Sequence, residues 1–210
     1  MSPPSAAPLR VLGVNGSLRG AEGASAAALR HALGLAARAG HETRQVDLAA
    51  WGASPAESVE AMVDLLAAAD AVLVATGTYW GGPSSLLQRW LEVLTFTEGG
   101  PAWRGKSAGV IVTMHSVGGL EVAQRLAGTL LLLGATIPGA GTIVLADRRD
   151  APDADTWVLA DVDTLVHNVL AVAALRPALG GALRHWPVDA YPALRGAWPA
   201  AGPLWHRAGG

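Results

Sequence analysis

The chain has 210 residues, a formal net charge of −2 and no cysteine. The length suits one domain with a sizeable core, and the small net charge gives no sequence-wide electrostatic reason to bind nucleic acid or an anionic membrane. The absence of cysteine excludes disulfides, thiolate catalysis and cysteine-ligated metal centres, and it is compatible with the cytoplasm, where we expect the protein to act. Residues 1–8 are polar and proline-rich, without the apolar run of a signal peptide, and we expect a flexible N-terminal tail there.

Short apolar runs alternate with segments of helical periodicity along most of the chain. Strict alternation of this kind predicts an α/β fold, a parallel sheet with helices on both faces. Five strands predict a doubly wound sheet of order 2-1-3-4-5, whose ligands bind beyond the carboxyl ends of the strands. The pattern predicts strands at 9–14, 41–48 (an edge strand), 71–76, 107–114 and 142–145, and helices at 25–39, 54–68, 84–94, 120–133 and 155–175.

Residues 126–146 contain no charged side chain and are long enough to span a bilayer. Gly134, Pro138, Gly139 and Gly141 interrupt that stretch, and such breakers favour a helix, a turn and a strand instead. We therefore predict no membrane partner.

Residues 179–210 differ in composition from the domain that we predict at 9–178. They contain Trp186, Tyr191, Trp198 and Trp205 among prolines and glycines, with no periodicity. This C-terminal extension is either a tail laid over the surface of its own domain or an arm that crosses a subunit interface to a partner's active site, since aromatic residues are enriched at interfaces.

The loop after the first strand has the composition of an anion site. Glycines in residues 15–24 let the backbone approach a ligand, while Ser17, Ser25 and Arg19 offer hydroxyl and guanidinium donors. The first amides of the following helix have no internal partner, and the helix dipole adds positive potential. The pattern predicts a bound phosphate.

Two further loops follow buried strands and are expected at the same edge of the sheet. In residues 77–83, Tyr79 and Trp80 lie beside two glycines and can flank a flat ring, although ordinary packing explains either aromatic alone. In residues 113–119, Ser116 and His115 can bond a ligand edge, and a proton-transfer role for His115 is the less favoured interpretation.

Residues 100–107 match the nucleotide-binding pattern G-x-x-x-x-G-K-[ST], but the context argues against that function. A phosphate-binding loop of this type needs a strand before it and a helix after it. Here a predicted helix precedes the pattern and a predicted strand follows it. We interpret Lys106 as the polar start of a strand.

With these three loops, residues 9–174 resemble the NAD(P)H-dependent FMN reductases of the flavodoxin-like fold. Gly16-Ser17-Leu18-Arg19 is similar to the family's G-S-x-R loop, and residues 78–87 are similar to its P-x-Y-x-x-S-x-x-x-L-K loop. Gly77 stands where the family has proline, and Gln88 where it has lysine.

The resemblance implies FMN as cofactor and NAD(P)H as hydride donor, with hydride passing through flavin N5 to a quinone, a flavin or a similar small-molecule acceptor. It implies that no protein residue is the catalytic acid or base, and that the flavin is held by Ser17, Leu18, Arg19, Ser25, Thr78, Tyr79, Trp80, Gly81, Thr113, His115, Ser116, Gly118 and Gly119.

Other interpretations stay open beside this enzyme. The protein is alternatively an FMN-binding electron carrier or redox sensor without efficient NAD(P)H turnover, or a flavin-free interaction protein of the same fold. The resemblance also implies a homodimer or homotetramer, in which Leu86, Leu87, Trp90 and Leu94 belong either to a subunit interface or to the core. The spacing of the histidines predicts no metal site.

Overall fold

The computed structural model describes residues 7–51, 55–115, 117–146 and 154–179. The strands are β1 (Arg10–Asn15), β2 (Glu42–Asp47), β3 (Ala71–Gly77), β4 (Ser107–Met114) and β5 (Thr142–Ala146). The helices are α1 (Ala24–Arg38), α2 (Pro55–Ala68), α3 (Ser85–Val93), α4 (Gly119–Leu133) and α5 (Ala154–Leu179), with short 3-10 turns at Gly20–Glu22 and Thr95–Thr97. Ser116, most of the N-terminal tail and residues 180–210 of the extension lie outside the described residues.

All neighbouring strands pair in parallel, in the order β2-β1-β3-β4-β5. The predicted fold and strand order are confirmed, and β2 is the predicted edge strand. The register aligns Asn15 with both Asp47 and Ala75, and Gly77 with Thr113. The loops after β1, β3 and β4 therefore leave the same edge of the sheet, which we call the carboxyl edge.

Two apolar clusters cover the two faces of the sheet. One cluster contains side chains of α1 and α5, including Leu29 and Leu165, and the other contains side chains of α2, α3 and α4, including Met62 and Leu126. The strands β3 and β4 are buried on both faces, which is why their sequences are continuous apolar runs rather than alternating ones.

The amphipathic face of α3 belongs to this core. Leu87, Trp90 and Leu94 are fully buried, and the rings of Trp90 and Trp103 meet edge to face with centroids 5.8 Å apart. Because the chain's own core covers these side chains, the interpretation of α3 as a subunit interface is wrong for these three residues, and only Leu86 is partly exposed.

The uncharged stretch at 126–146 folds as the end of α4, a turn and β5. Gly134 ends α4 in the left-handed region at φ 115°, and its amide bonds to the carbonyl of Leu131 at 3.0 Å. In the part of the chain that the structure describes, no helix combines the length and the apolarity needed to cross a membrane.

Candidate functional site at the carboxyl edge

Asn15, the last residue of β1, holds the first loop in place. Its buried amide group donates to the Gly20 carbonyl at 3.0 Å and to the Asp47 carboxylate at 2.5 Å, and its oxygen accepts the Ser17 amide at 3.0 Å. Sequence reasoning did not name Asn15 as a site residue. The available signal was a polar residue that ends an otherwise apolar strand, directly before Gly-Ser.

Ser17 and Gly23 meet where the first loop enters α1. Ser17 is buried, and its hydroxyl accepts the Arg19 amide at 3.1 Å. A Cβ atom added to Gly23 would lie 2.0 Å from Ser17 Oγ, so only glycine fits there. Gly23 caps α1 without a side-chain hydrogen bond, which leaves the first amides of α1 available to an anion.

The other predicted residues of this loop differ in exposure. Ser25 is buried in the first turn of α1, while Leu18 and Arg19 are exposed. Within the described ranges, no carboxylate forms an ion pair with the Arg19 guanidinium. The loop therefore combines backbone donors, buried hydroxyls and one available positive charge, the groups that a phosphate requires.

The second loop is a tight turn after β3. The amide of Tyr79 bonds to the Gly82 carbonyl at 2.8 Å, and the amide of Gly82 bonds back to the Tyr79 carbonyl at 2.9 Å. Trp80 and Gly81 between them have φ values of +50° and +75°, which are the signs of a type I′ turn. The Tyr79 ring packs over Gly77, since an added Cβ there would lie 3.1 Å from Tyr79 Cε2.

The third loop lies against this turn. A Cβ added to Gly118, which has φ +86°, would lie 3.4 Å from the Cα atom of Gly81 and 3.5 Å from Thr78 Cγ2. The amide of Thr78 bonds to the Thr113 carbonyl at 2.9 Å. Thus the structure brings Thr78 and Gly81 of the second loop together with Thr113 and Gly118 of the third. Ser116 lies outside the described residues.

Two further residues of the third loop differ in their environment. His115 is exposed. Gly119 is buried at the start of α4, where an added Cβ would lie 2.5 Å from Val144. The close packing of Gly119 and the positive φ of Gly118 together explain why the third loop ends in two glycines.

Ser84 connects the first two loops, and it is a second residue that sequence reasoning did not place in the site. Its hydroxyl donates to the Gly16 carbonyl and accepts the Leu87 amide at 3.1 Å, so it caps α3 and also holds the first loop. Its own amide donates to Thr76 Oγ1 at 3.1 Å. A serine just before a helical run is a sequence signal for an N-cap, but the long-range bond to Gly16 has no sequence signal.

One polar group in the second loop has no partner within the chain. The Thr78 hydroxyl oxygen is buried and makes no hydrogen bond in the described part of the structure. Burying a hydroxyl without a partner costs free energy, and this hydroxyl lies where the second and third loops meet.

The nucleotide-binding pattern at 100–107 lies at the opposite, amino edge of the sheet, as its context predicted. Lys106 is buried directly before β4, and its ammonium donates to the carbonyl of Ala67 at 3.0 Å and to that of Ala69 at the end of α2. Burial, helped by the nearby positive charge of Arg176 and opposed by the Asp70 carboxylate, lowers the pKa of Lys106 to about 8. Lys106 is a structural residue rather than a phosphate ligand.

Comparison with known proteins identifies the family. Residues 9–150 match the family model of the NADPH-dependent FMN reductases. Because this match covers more than half of the chain, the protein belongs to that family of flavin-dependent NAD(P)H oxidoreductases, which use FMN as cofactor and NAD(P)H as electron donor. The sequence matches no curated protein.

Solved structures share the fold at low sequence identity. RosB, solved with the bound intermediate 8-demethyl-8-formylriboflavin-5′-phosphate, has a TM-score of 0.69 and 16% identity, over 96% of this chain and 92% of RosB. The apo NADH:FMN oxidoreductase EmoB has a TM-score of 0.62 and 19% identity, over 76% and 89% of the two chains. FerB of Paracoccus denitrificans, an NAD(P)H:acceptor oxidoreductase, has a TM-score of 0.55 and 22% identity, over 78% and 98%.

Proposed function

We propose that FMN binds across the three loops of the carboxyl edge and that the protein oxidises NAD(P)H and reduces a small-molecule acceptor, such as a quinone or a free flavin. The observation that carries this proposal is the physical joining of the loops. Ser84 holds the first loop to the start of α3, and Gly118 packs against Gly81 of the second loop. An extended ligand with a phosphate at one end and a flat ring at the other fits such a row of loops.

The phosphate would be held by the first loop. The Ser17 and Ser25 hydroxyls, the first amides of α1 and the Arg19 guanidinium are the donors, and Leu18 contributes its backbone. The close contact between Gly23 and Ser17 fits this role, because a side chain at position 23 would fill the space where the loop enters α1.

The ring would be held between the second and third loops. Trp80 and Gly81 present turn amides, Tyr79 supplies an aromatic face, and the Thr78 hydroxyl gains the hydrogen-bond partner that the chain does not provide. In the third loop, the ring would contact Thr113, His115, Ser116, Gly118 and Gly119. When bound, FMN would supply the redox chemistry, the acceptance of hydride at N5 and the transfer of electrons to the acceptor. The chain would bind and orient the flavin and stabilise the charge of the reduced ring through its backbone amides.

The test is the visible absorption spectrum of the purified protein with FMN, followed by anaerobic addition of NADPH or NADH. We expect a bound flavin band that bleaches within seconds and returns when menadione is added. Arg19→Ala removes the guanidinium that we propose binds the FMN phosphate, and Arg38→Ala, at the far end of α1, is its matched control.

The other outcomes favour the alternative functions. A bound flavin that NAD(P)H does not reduce would favour an electron carrier or redox sensor. No bound flavin, even with excess FMN, would favour an interaction protein. We also propose that the protein is a homodimer or homotetramer and that it is cytoplasmic. Sedimentation velocity of the purified protein tests the first point, and fractionation of the cells that produce it tests the second.

A further inference from the structure

Asp47, the last residue of β2, carries a carboxylate next to a loop that we propose binds an anion. Its Oδ1 atom accepts the side-chain amide of Asn15 at 2.5 Å and that of Gln45 at 2.9 Å. An ionised carboxylate only accepts hydrogen bonds, so it cannot hold a phosphate, and its negative charge disfavours a second anion nearby. Asp47 therefore has a role other than direct binding of the ligand.

Asn15 is the residue through which Asp47 reaches the first loop. The two residues are aligned at the ends of the neighbouring strands β1 and β2. The Nδ2 group of Asn15 has two hydrogens, and its bonds to Asp47 and to the Gly20 carbonyl use both. Its Oδ1 atom accepts the backbone amide of Ser17 at 3.0 Å. Because Asn15 is fully buried, the loss of any of these bonds would leave a buried polar group without a partner.

These contacts fix the orientation of the Asn15 amide. A rotated amide would turn its oxygen toward the carboxylate of Asp47 and the carbonyl of Gly20, so that acceptors would face acceptors. It would also turn its N–H groups toward the backbone amide of Ser17, so that donors would face donors. Gly20 belongs to the loop and moves with it, whereas Asp47 belongs to the sheet. Asp47 is therefore the fixed point from which Asn15 positions the loop.

We infer that Asp47 is a positioning residue, whose carboxylate orients the Asn15 amide and so keeps the donors of the first loop directed at the phosphate of FMN. This inference rests on the proposed function and assigns part of its phosphate selectivity to a residue outside the three loops. The expected sign is opposite to that of simple electrostatics, because removal of a nearby negative charge alone should strengthen the binding of a phosphate.

The experiment compares the wild type with Asp47→Ala, Asp47→Asn and the control Glu42→Ala in the full-length, flavin-free protein. Asp47→Asn removes the charge but keeps an oxygen that can accept the side-chain amides of Asn15 and Gln45. Glu42→Ala removes a carboxylate from the first residue of the same strand, which is exposed at the amino end of the sheet. Fluorescence titration measures the affinity for FMN and for riboflavin, which lacks the phosphate.

In Asp47→Ala we expect the affinity for FMN to fall roughly 10-fold, the cost of one lost hydrogen bond to a charged group. The affinity for riboflavin should stay within about twofold of the wild type, because the second and third loops are unchanged. Asp47→Asn should keep the affinity for FMN within about threefold of the wild type, and Glu42→Ala within about twofold.

Hydrogen exchange of the Ser17 amide, followed by nuclear magnetic resonance, gives a measurement that needs no ligand. Since Asn15 accepts this amide, we expect it to exchange about 10-fold faster in Asp47→Ala and near the wild-type rate in Asp47→Asn and Glu42→Ala. If Asp47→Ala does not fold, Gln45→Ala replaces it, because it removes the second donor to the carboxylate. We expect Gln45→Ala to lose roughly threefold in affinity for FMN and none for riboflavin.

Three results would overturn the inference. Unchanged or tighter FMN binding in Asp47→Ala would show that the charge of Asp47 matters more than its contact to Asn15. An equal loss of affinity for FMN and riboflavin would assign Asp47 to the stability of the fold, and a loss in Asp47→Asn as large as in Asp47→Ala would exclude the acceptor role. If the wild type binds neither flavin, the proposed function is wrong, but the exchange rate of Ser17 still decides whether Asp47 positions the loop.

Discussion

The two edges of the sheet differ in the partners of their charged side chains. At the amino edge, Lys106 donates to the carbonyls that end α2, and the Asp70 carboxylate accepts the Arg10 amide at 2.8 Å and lies 3.6 Å from the Arg176 guanidinium. At the carboxyl edge, the Arg19 guanidinium and the Thr78 hydroxyl have no partner in the described chain. At the amino edge, Lys106 and Asp70 find partners within the chain, although the buried Ser107 hydroxyl finds none in the described part. At the carboxyl edge, we propose that the donors without a partner serve a ligand.

Backbone strain occurs at both edges. At the amino edge, Gly134 follows a helix end, where glycine is the usual residue, but Gly105 and Ala140 also have positive φ, of +70° and +54°, in turns that precede β4 and β5. At the carboxyl edge, Trp80 and Gly81 place positive φ in a turn that ends no helix. The contrast between the two edges therefore rests on their charged side chains, and it predicts different consequences for mutations at the two edges.

The largest effect is expected from Gly23→Ala at the carboxyl edge. The new methyl group would lie 2.0 Å from Ser17 Oγ, so the first loop or the start of α1 must move. Overpacking of this kind costs about 1–3 kcal/mol, and we expect FMN affinity to fall by roughly 100-fold. Fluorescence titration of FMN measures the change. Gly128→Ala is the control, since a Cβ there meets nothing within 4 Å, and wild-type affinity in Gly23→Ala would refute the phosphate loop.

At the amino edge, the pH dependence of stability should come from Lys106. Its pKa is about 8 in the folded chain and about 10.5 when unfolded, so between these values the unfolded state binds more protons and the free energy of unfolding rises with pH. The rise is on the order of 3 kcal/mol at most. Lys106 is the chain's only lysine, so few other groups titrate between pH 8 and 10.5.

Urea unfolding at pH 7.5, 9 and 10.5 measures this effect. Lys106→Met, which keeps an unbranched side chain one atom shorter and removes the charge, should flatten the increase while leaving FMN affinity unchanged. An equally steep increase in the Met variant would show that another group is responsible.

Arg19→Ala should separate binding from stability at the carboxyl edge. The exposed guanidinium has no ion pair within the described chain, so the melting temperature of the flavin-free protein should not change. Loss of a charge-assisted bond to phosphate costs about 1.5–2 kcal/mol, and we expect roughly 10- to 30-fold weaker FMN binding. Riboflavin lacks the phosphate, so an equal loss of affinity for riboflavin would contradict the assignment of Arg19 to the phosphate.

The sequence predicted the order of strands and helices because apolar periodicity reports burial directly. All ten predicted elements occur, and β4 has the predicted bounds. The differences are local: Asn15 belongs to β1, and α5 continues to Leu179 rather than ending at 175, because helix ends depend on capping contacts more than on periodicity.

Within the candidate site, the order of the elements predicted that the three loops share one edge of the sheet, but not what holds the loops together. The bonds from Asn15 to Asp47 and from Ser84 to Gly16 join residues far apart in sequence, and no local pattern encodes such pairs. The turn at Trp80 was equally hidden, since Trp-Gly is not a usual type I′ sequence. The face of α3 remained ambiguous because a core helix and an interface helix show the same amphipathic spacing.

The smallest effect tests whether the carboxyl edge sacrifices stability for ligand binding. Trp80→Asn replaces a strained, fully exposed residue with one that prefers its conformation, and the relief is worth about 1 kcal/mol. For a chain of this size the melting temperature of the flavin-free protein should rise by roughly 2–4 °C, measured by circular dichroism. Phe96 is also exposed, in the 3-10 turn after α3, and Phe96→Asn should give no such gain. If Trp80→Asn instead lowers the melting temperature, the indole stabilises the fold, and the contrast between the two edges would not extend to this turn.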